Sequence, residues 1–351
     1  MHGDDLPFDY ELLVELTETS GVPGYEDRVR EVVRRELAPE VDRLRSDAMG
    51  NVVGTVDGGD TEVLVAAHMD EIGFMVSHVD DGFLGLEPLG GWDPRVLKAQ
   101  RVTVHAEDGD LPGVIGSPPV HTLDDEDLDA SEEVADVRVD LGLPATEVDE
   151  RVAVGDLVTT DQRTERVGEH VTGKSLDNRV SVLALVEAAR ALTDPEVTVH
   201  FAATAQEEVG LRGAMALGVD VDADVVLALD TTVANDVPGV ESGEHVTRLG
   251  EGAGIKLKDS SSITNPKLNR RLRMVADERS IPHQPEILPT GGTDTGGLQF
   301  RGGAKPAGAI SVPTRYLHTP TEAVHHDDVR ACLDLAVAFL ETESGGSDYT
   351  L

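Results

Sequence analysis

Val63-Leu64-Val65-Ala66-Ala67 runs without a break into His68-Met69-Asp70-Glu71. Five apolar residues in a row, bounded by polar ones, read as a strand buried on both faces, as in a parallel sheet. The residues that end it can bind metals or carry protons. The arrangement recurs. Residues 199–205 are followed by Gln206-Glu207-Glu208, residues 225–229 by Asp230, and Ile310-Ser311-Val312 leads through Tyr316 to His318. In open α/β sheets, sites form outside the carboxyl ends of the strands. Four strands therefore bring His68, a glutamate pair, Asp230 and His318 to one edge. Asp177, opening the helical stretch after Gly173, is a fifth candidate.

Outward from these runs, residues 10–37 read as helix, turn near Gly24, and helix again. After Phe74 come short alternating runs at 101–105, 113–116, 136–140 and 154–159, separated by Gly, Pro and Asp, the pattern of a β-rich module with tight turns. Inside it, residues 121–133 form a strongly acidic run, read as a solvated loop. From Gly173 onward, helical spacing at 175–192 (Leu176, Val180, Leu183, Ala184, Ala188), a strand at 197–203, a helix at 211–217, strands at 223–229 and 307–312, and a helix at 327–340 alternate. The expected plan is an α/β, doubly wound mixed sheet formed by residues 1–71 and 168–345. A β-rich insert of residues 72–167 interrupts it. Residues 346–351 are expected to fray.

The chain has 67 acidic and 29 basic residues, a net charge of −38 spread along its length. Such a surface repels phosphate, which excludes nucleic-acid binding by a basic face. It also repels itself unless salt screens it, and at molar salt the screening length is only about 3 Å. We therefore expect a halophilic protein. The N-terminus has neither a basic n-region nor an apolar h-region, and no apolar run approaches bilayer-spanning length, so a cytoplasmic protein is expected. Cys332, the sole cysteine, reads as a buried small hydrophobe.

A single strand-end His is more often structural than a ligand, and a strand-end Asp is commonly a helix cap. Together they are harder to dismiss. Two His and three carboxylates suit paired borderline divalent ions, and five ligands serve two ions if one carboxylate bridges. Strand positions i and i+2 face the same way, so Asp70 can orient the His68 imidazole. Adjacent Glu207 and Glu208 face opposite ways, so one can bind metal while the other acts as general base.

His68-Met69-Asp70-Glu71-Ile72-Gly73, Gly173-Lys174-Ser175-Leu176-Asp177-Asn178-Arg179, Glu207-Glu208-Val209-Gly210, Asp230-Thr231-Thr232 and Tyr316-Leu317-His318-Thr319-Pro320 resemble the motifs of the tetrahedral (TET-type) dinuclear metalloaminopeptidases. Gly90-Gly91-Trp92-Asp93 and Gly291-Gly292-Thr293-Asp294 resemble that family too. The resemblance, which spans nearly the whole chain, implies a zinc aminopeptidase-like fold with a PDZ-like insert that helps form dimers. It implies dimers assembled into a hollow dodecamer. It implies two divalent ions per subunit (zinc or cobalt, with manganese a further option), with Asp177 as bridge, His68 and Asp230 completing one site, and Glu208 and His318 the other. Glu207 would be the general base acting on a metal-bridging water, and Asp70 the partner of His68. The expected reaction removes N-terminal residues from short peptides. Gly292 to Asp294 is a candidate pocket wall and equally a plain loop; Thr295 and Gln299 depart from the family pattern and leave the side-chain preference open.

Three rivals exist. Gly168 to Ser175 fits the G-x-x-x-x-G-K-S pattern of a P-loop, but mostly charged residues precede it where a buried strand is required. A carboxylate-pair glycosidase, the label some members of the family carry, would leave the two His without a role. A non-enzymatic assembly module centred on the insert would not need an intact ligand set.

Overall fold

The computed structural model describes residues 6–122 and 133–351. Most of the acidic run expected over residues 121–133 lies outside the described residues. The strands in chain order are β1 (Arg43–Ser46), β2 (Val52–Val56), β3 (Glu62–His68), β4 (Gly73–Asp80), β5 (Phe83–Leu89), β6 (Arg101–Ala106), β7 (Gly109–Ile115), β8 (Arg138–Asp140), β9 (Leu157–Thr160), β10 (Glu165–Val167), β11 (His170–Gly173), β12 (Thr198–Thr204), β13 (Val225–Val233), β14 (Ala253–Lys258), β15 (His283–Ile287), β16 (Ala307–Arg315) and β17 (Glu322–His325).

The apolar runs form the centre of a mixed sheet ordered β1-β2-β12-β3-β13-β16-β17-β11-β10, with β14 and β15 branching from β16. β12, β3, β13 and β16 are mutually parallel; the flanking pairs β2/β12 and β16/β17 are antiparallel. Period-2 alternation explains why these runs are apolar throughout. Val63, Val65 and Ala67 enter the core on one face, packed by the helices Tyr10–Glu18, Asp27–Leu37, Leu176–Ala191, Pro266–Arg279 and His326–Thr342. Leu64 and Ala66 enter a smaller core on the other face, packed by the helices Arg212–Asp220 and Asp294–Leu298. Both faces are covered, as the doubly wound plan requires.

The insert folds as a closed barrel in the order β4-β5-β8-β7-β6-β9 around its own core, which includes Phe74, Leu84, Val104 and Val158. Trp92 stacks on Phe74 with ring centroids 4.7 Å apart and donates its Nε1–H to the Gly73 carbonyl at 3.1 Å. β10 pairs with β11 in the large sheet, so the barrel's last strand is β9.

One expectation is corrected, and one rival is set aside. The final residues do not fray: Tyr349 is buried, its hydroxyl donates to Glu343 at 2.5 Å, and its carbonyl accepts from Asn265 Nδ2 at 2.8 Å. The P-loop pattern is not a phosphate loop, because β11 occupies its middle. Lys174 is buried against Glu71, with Nζ 2.5 Å from Oε2, and is not free to meet a nucleotide. Cys332 is buried as expected. Among the described residues, no helix is long and apolar enough to cross a membrane.

Candidate metal centre

β3 and β13 run side by side in register, Ala66 opposite Ala228. Two residues further, on the same face of each strand, stand His68 and Asp230. His68 Nε2 lies 3.6 Å from Asp230 Oδ1 and 3.3 Å from Asp177 Oδ1. The other oxygen of Asp177, Oδ2, lies 3.3 Å from His318 Nε2, which in turn lies 3.7 Å from Glu208 Oε2. The result is two triads, His68–Asp177–Asp230 and Asp177–Glu208–His318, which share one carboxylate. In each, the potential ligand atoms lie within 4.8 Å of one another.

Both imidazoles are fixed in the same tautomer. His68 Nδ1–H donates to the Asp70 carbonyl at 3.2 Å, and His318 Nδ1–H donates to the Gly91 carbonyl at 3.0 Å. That leaves each Nε2 on the side of Asp177. His68 is 3% exposed, whereas His318 is 37% exposed and forms the open side of the site. The His318 partner belongs to the insert. Gly90 adopts φ +95°, a conformation glycine takes at little cost, and the turn lies close against the site: a Cβ at Gly90 would stand 3.4 Å from Glu208 Cβ.

The Asp70 contact differs in detail from the sequence-based expectation. Its carboxylate stands 3.6 Å from His68 Nδ1, outside hydrogen-bond distance. Instead, Oδ1 accepts the Glu207 N–H at 3.0 Å and Oδ2 the Glu208 N–H at 3.1 Å. Nor are the two glutamates on a strand. β12 ends at Thr204, Gln206 turns the chain with φ +56°, and Asp70 holds the turn.

Glu322 was missing from the sequence reading. Its carboxylate accepts the backbone N–H of Asp177 and of His318, both at 2.9 Å. Asp294 is buried beneath the site, accepts the Thr204 hydroxyl, and keeps Oδ1 without a partner.

The electrostatics describe a crowd of carboxylates short of positive charge. Burial pushes Glu208 up to about 8 and Glu207 well above the usual range, the latter helped by Asp230, Glu208 and Asp294. Burial would lower His318, but Asp177 and Glu208 raise it to about 10. Asp177 Oδ1 is buried without a hydrogen bond. A carboxylate set between two imidazoles, with one buried oxygen lacking a hydrogen bond and two further carboxylates beside it, fits a pair of divalent cations in donor chemistry and in charge.

A model of the M42 glutamyl aminopeptidase family matches residues 50–335. An aminopeptidase from the archaeon Desulfurococcus kamchatkensis is 37% identical, with a TM-score of 0.90 over 95% of this chain and 94% of that one. The lysyl aminopeptidase of Pyrococcus furiosus is 35% identical over 341 residues, 95% of this chain and 97% of that one. The TET1 peptidase of Pyrococcus horikoshii, which can assemble into a tetrahedron or a large octahedral shell, is 33% identical, with a TM-score of 0.85 over 95% of this chain and 99% of that one. The chain belongs to the M42 glutamyl aminopeptidase family, and it is a hydrolase of the aminopeptidase class.

Proposed function

We propose that the chain is a two-metal-ion aminopeptidase that removes N-terminal residues from short peptides. The observation that carries this reading is the pair of triads sharing Asp177, with Glu207 beside them. His68, Asp177 and Asp230 would hold one ion; Glu208, His318 and Asp177 would hold the other. Zinc, cobalt and manganese all suit such a set. When bound, two divalent ions would polarise the scissile carbonyl and lower the pKa of the attacking water. Glu207 takes the proton from the attacking water and returns it to the leaving amine. Asp70 holds the backbone of Glu207 and Glu208 so that the base and the ligand keep separate positions.

In the same reading, the peptidase unit is interrupted after residue 71 by the barrel, whose last strand is β9 (Leu157–Thr160), and β10 returns the chain to the large sheet; the inserted barrel acts as a PDZ-like dimerisation module. The assembly is a dodecamer built from dimers, as the relationship to TET peptidases supports. The charge of −38 supports a halophilic protein at work in a cytoplasm rich in salt.

The test is hydrolysis of aminoacyl-anilides with free and with blocked N-termini, in high salt, before and after chelation. Cleavage of free N-termini alone, lost on chelation and restored by cobalt or zinc, is expected. A folded, metal-loaded sample without chelator-sensitive cleavage contradicts the reading; metal-independent hydrolysis of a β-glucan would favour the glycosidase instead.

A further inference from the structure

We propose that Glu322 is a positioning residue that sets the distance between the shared carboxylate Asp177 and the outer imidazole His318. The inference deepens the two-metal reading and rests on it. The two oxygens of Glu322 serve different segments. Oε2 accepts the Asp177 N–H and Oε1 the His318 N–H, both at 2.9 Å. Glu322 belongs to neither triad, and both of these bonds run to backbone amides, so it acts through the backbone.

The sheet explains why one side chain can reach both amides. Glu322 opens β17 and pairs with Gly173, the last residue of β11, and from Gly173 the chain continues through Lys174 to Asp177. His318 lies four residues upstream of Glu322, in a loop where it adopts φ +59°. Asp177 has non-helical angles, φ −77° and ψ 106°, at the start of its helix. Both ligands thus sit on irregular backbone, and their amides take Glu322 as acceptor. Asp177 is 145 residues from Glu322 in sequence, so the carboxylate ties together two segments that chain connectivity leaves independent. It is 2% exposed, where hydrogen bonds to amides are strong and cannot be replaced by water.

Loss of one acceptor lets Asp177 and His318 drift apart, and metal affinity registers this before catalysis does. A matched control exists in Asp328, whose two oxygens accept the backbone N–H groups of Gly250 and Gly252, each at 2.7 Å, without contact to either triad. Wild type, Glu322→Gln, Glu322→Asp and Asp328→Asn would be loaded with zinc and titrated with a chelator. Thermal unfolding and kcat at rising zinc would be recorded in parallel. Glu322→Gln, with one acceptor in place of two, is expected to hold zinc roughly 10- to 100-fold more weakly, with kcat recovering at saturating zinc. Asp328→Asn should retain zinc as wild type does, even where its Tm falls. Should Glu322→Gln fail to fold, Glu322→Asp keeps the charge but is too short to span both amides, and it should weaken zinc in the same direction. A folded Glu322 variant with wild-type zinc retention, or equal zinc loss in Asp328→Asn, overturns the proposal. A wild type that binds no zinc sinks the two-metal reading as well, a result distinct from zinc bound equally by wild type and variant.

Discussion

His318 donates its Nδ1–H to the carbonyl of Gly91 at 3.0 Å, so a residue of the inserted barrel fixes the tautomer of a side chain in the peptidase sheet. The barrel is therefore part of the site. A Cβ added at Gly91 would stand 3.1 Å from His318 Nδ1, closer than ordinary contact, and must displace either the turn or the imidazole. Gly91→Ala should lower metal retention by about tenfold, the lower end for loss of a group that orients a ligand. Chelator titration reads this directly, and unchanged retention would separate the barrel from the site.

In the two-metal reading, Glu207 plays a different part from the five candidate ligands. Glu207→Gln keeps the shape and the amide held by Asp70, but cannot take a proton. We expect kcat to fall by about 10²- to 10⁴-fold while metal content stays at the wild-type level. A wild-type rate in this variant would remove Glu207 as the base; lost metal would make it a ligand.

Glu71 follows the His68 motif but serves the fold. It accepts Lys174 Nζ at 2.5 Å and the Gly21 N–H at 3.0 Å, and lies 3.7 Å from Arg179, a cation with no exposed surface. Glu71→Gln leaves two buried cations without their counter-charge and should cost about 3–5 kcal/mol. Denaturant unfolding checks this, and a loss under about 1 kcal/mol would contradict it.

Salt and pH act on the exposed contacts. Arg28 reaches from the peptidase unit to the barrel and makes two bonds to Asp110, at 2.8 and 2.9 Å. The Arg28 guanidinium, with His105, holds the Asp110 carboxyl well below the usual carboxylate range. A depressed folded pKa means a contribution that is present above the ordinary carboxylate pKa of about 3.9 and lost as pH falls through the lower folded value. Asp110→Asn should therefore lower Tm at neutral pH in the lowest salt that keeps the protein folded. The difference should shrink in acid and in molar salt, where screening falls to about 3 Å. Wild-type Tm should meanwhile rise toward molar KCl, since 67 acidic residues repel one another. A Tm that falls with salt would contradict the halophilic reading.

Legibility in the sequence followed burial. β3, β12, β13 and β16 are apolar because both their faces are covered, and each left a continuous run. Edge strands left none. β1 is Arg-Leu-Arg-Ser, β10 is Glu-Arg-Val, and β15 carries Pro285, which suits a strand at a sheet margin. The helix Pro266–Arg279 was hidden by its charges, although Asn265 caps it and Leu268, Leu272 and Val275 bury one stripe. At the site, the five candidate ligands could be read because strand ends and helix starts carry them. Glu322 could not, because it acts on amides whose proximity only the folded chain creates. The turn at Gln206 was equally hidden, since strand alternation was carried to Glu208, four residues past the true end of β12.

The shared carboxylate is central to the two-metal reading, and metal counting tests it most directly. Native mass spectrometry or elemental analysis of zinc-loaded wild type should give two ions per chain. Asp230→Ala should lose one. Asp177→Ala should lose both, because each oxygen of Asp177 faces a different imidazole at 3.3 Å. An Asp177→Ala chain that keeps one tightly bound ion, or a wild type that binds only one, would contradict the bridge.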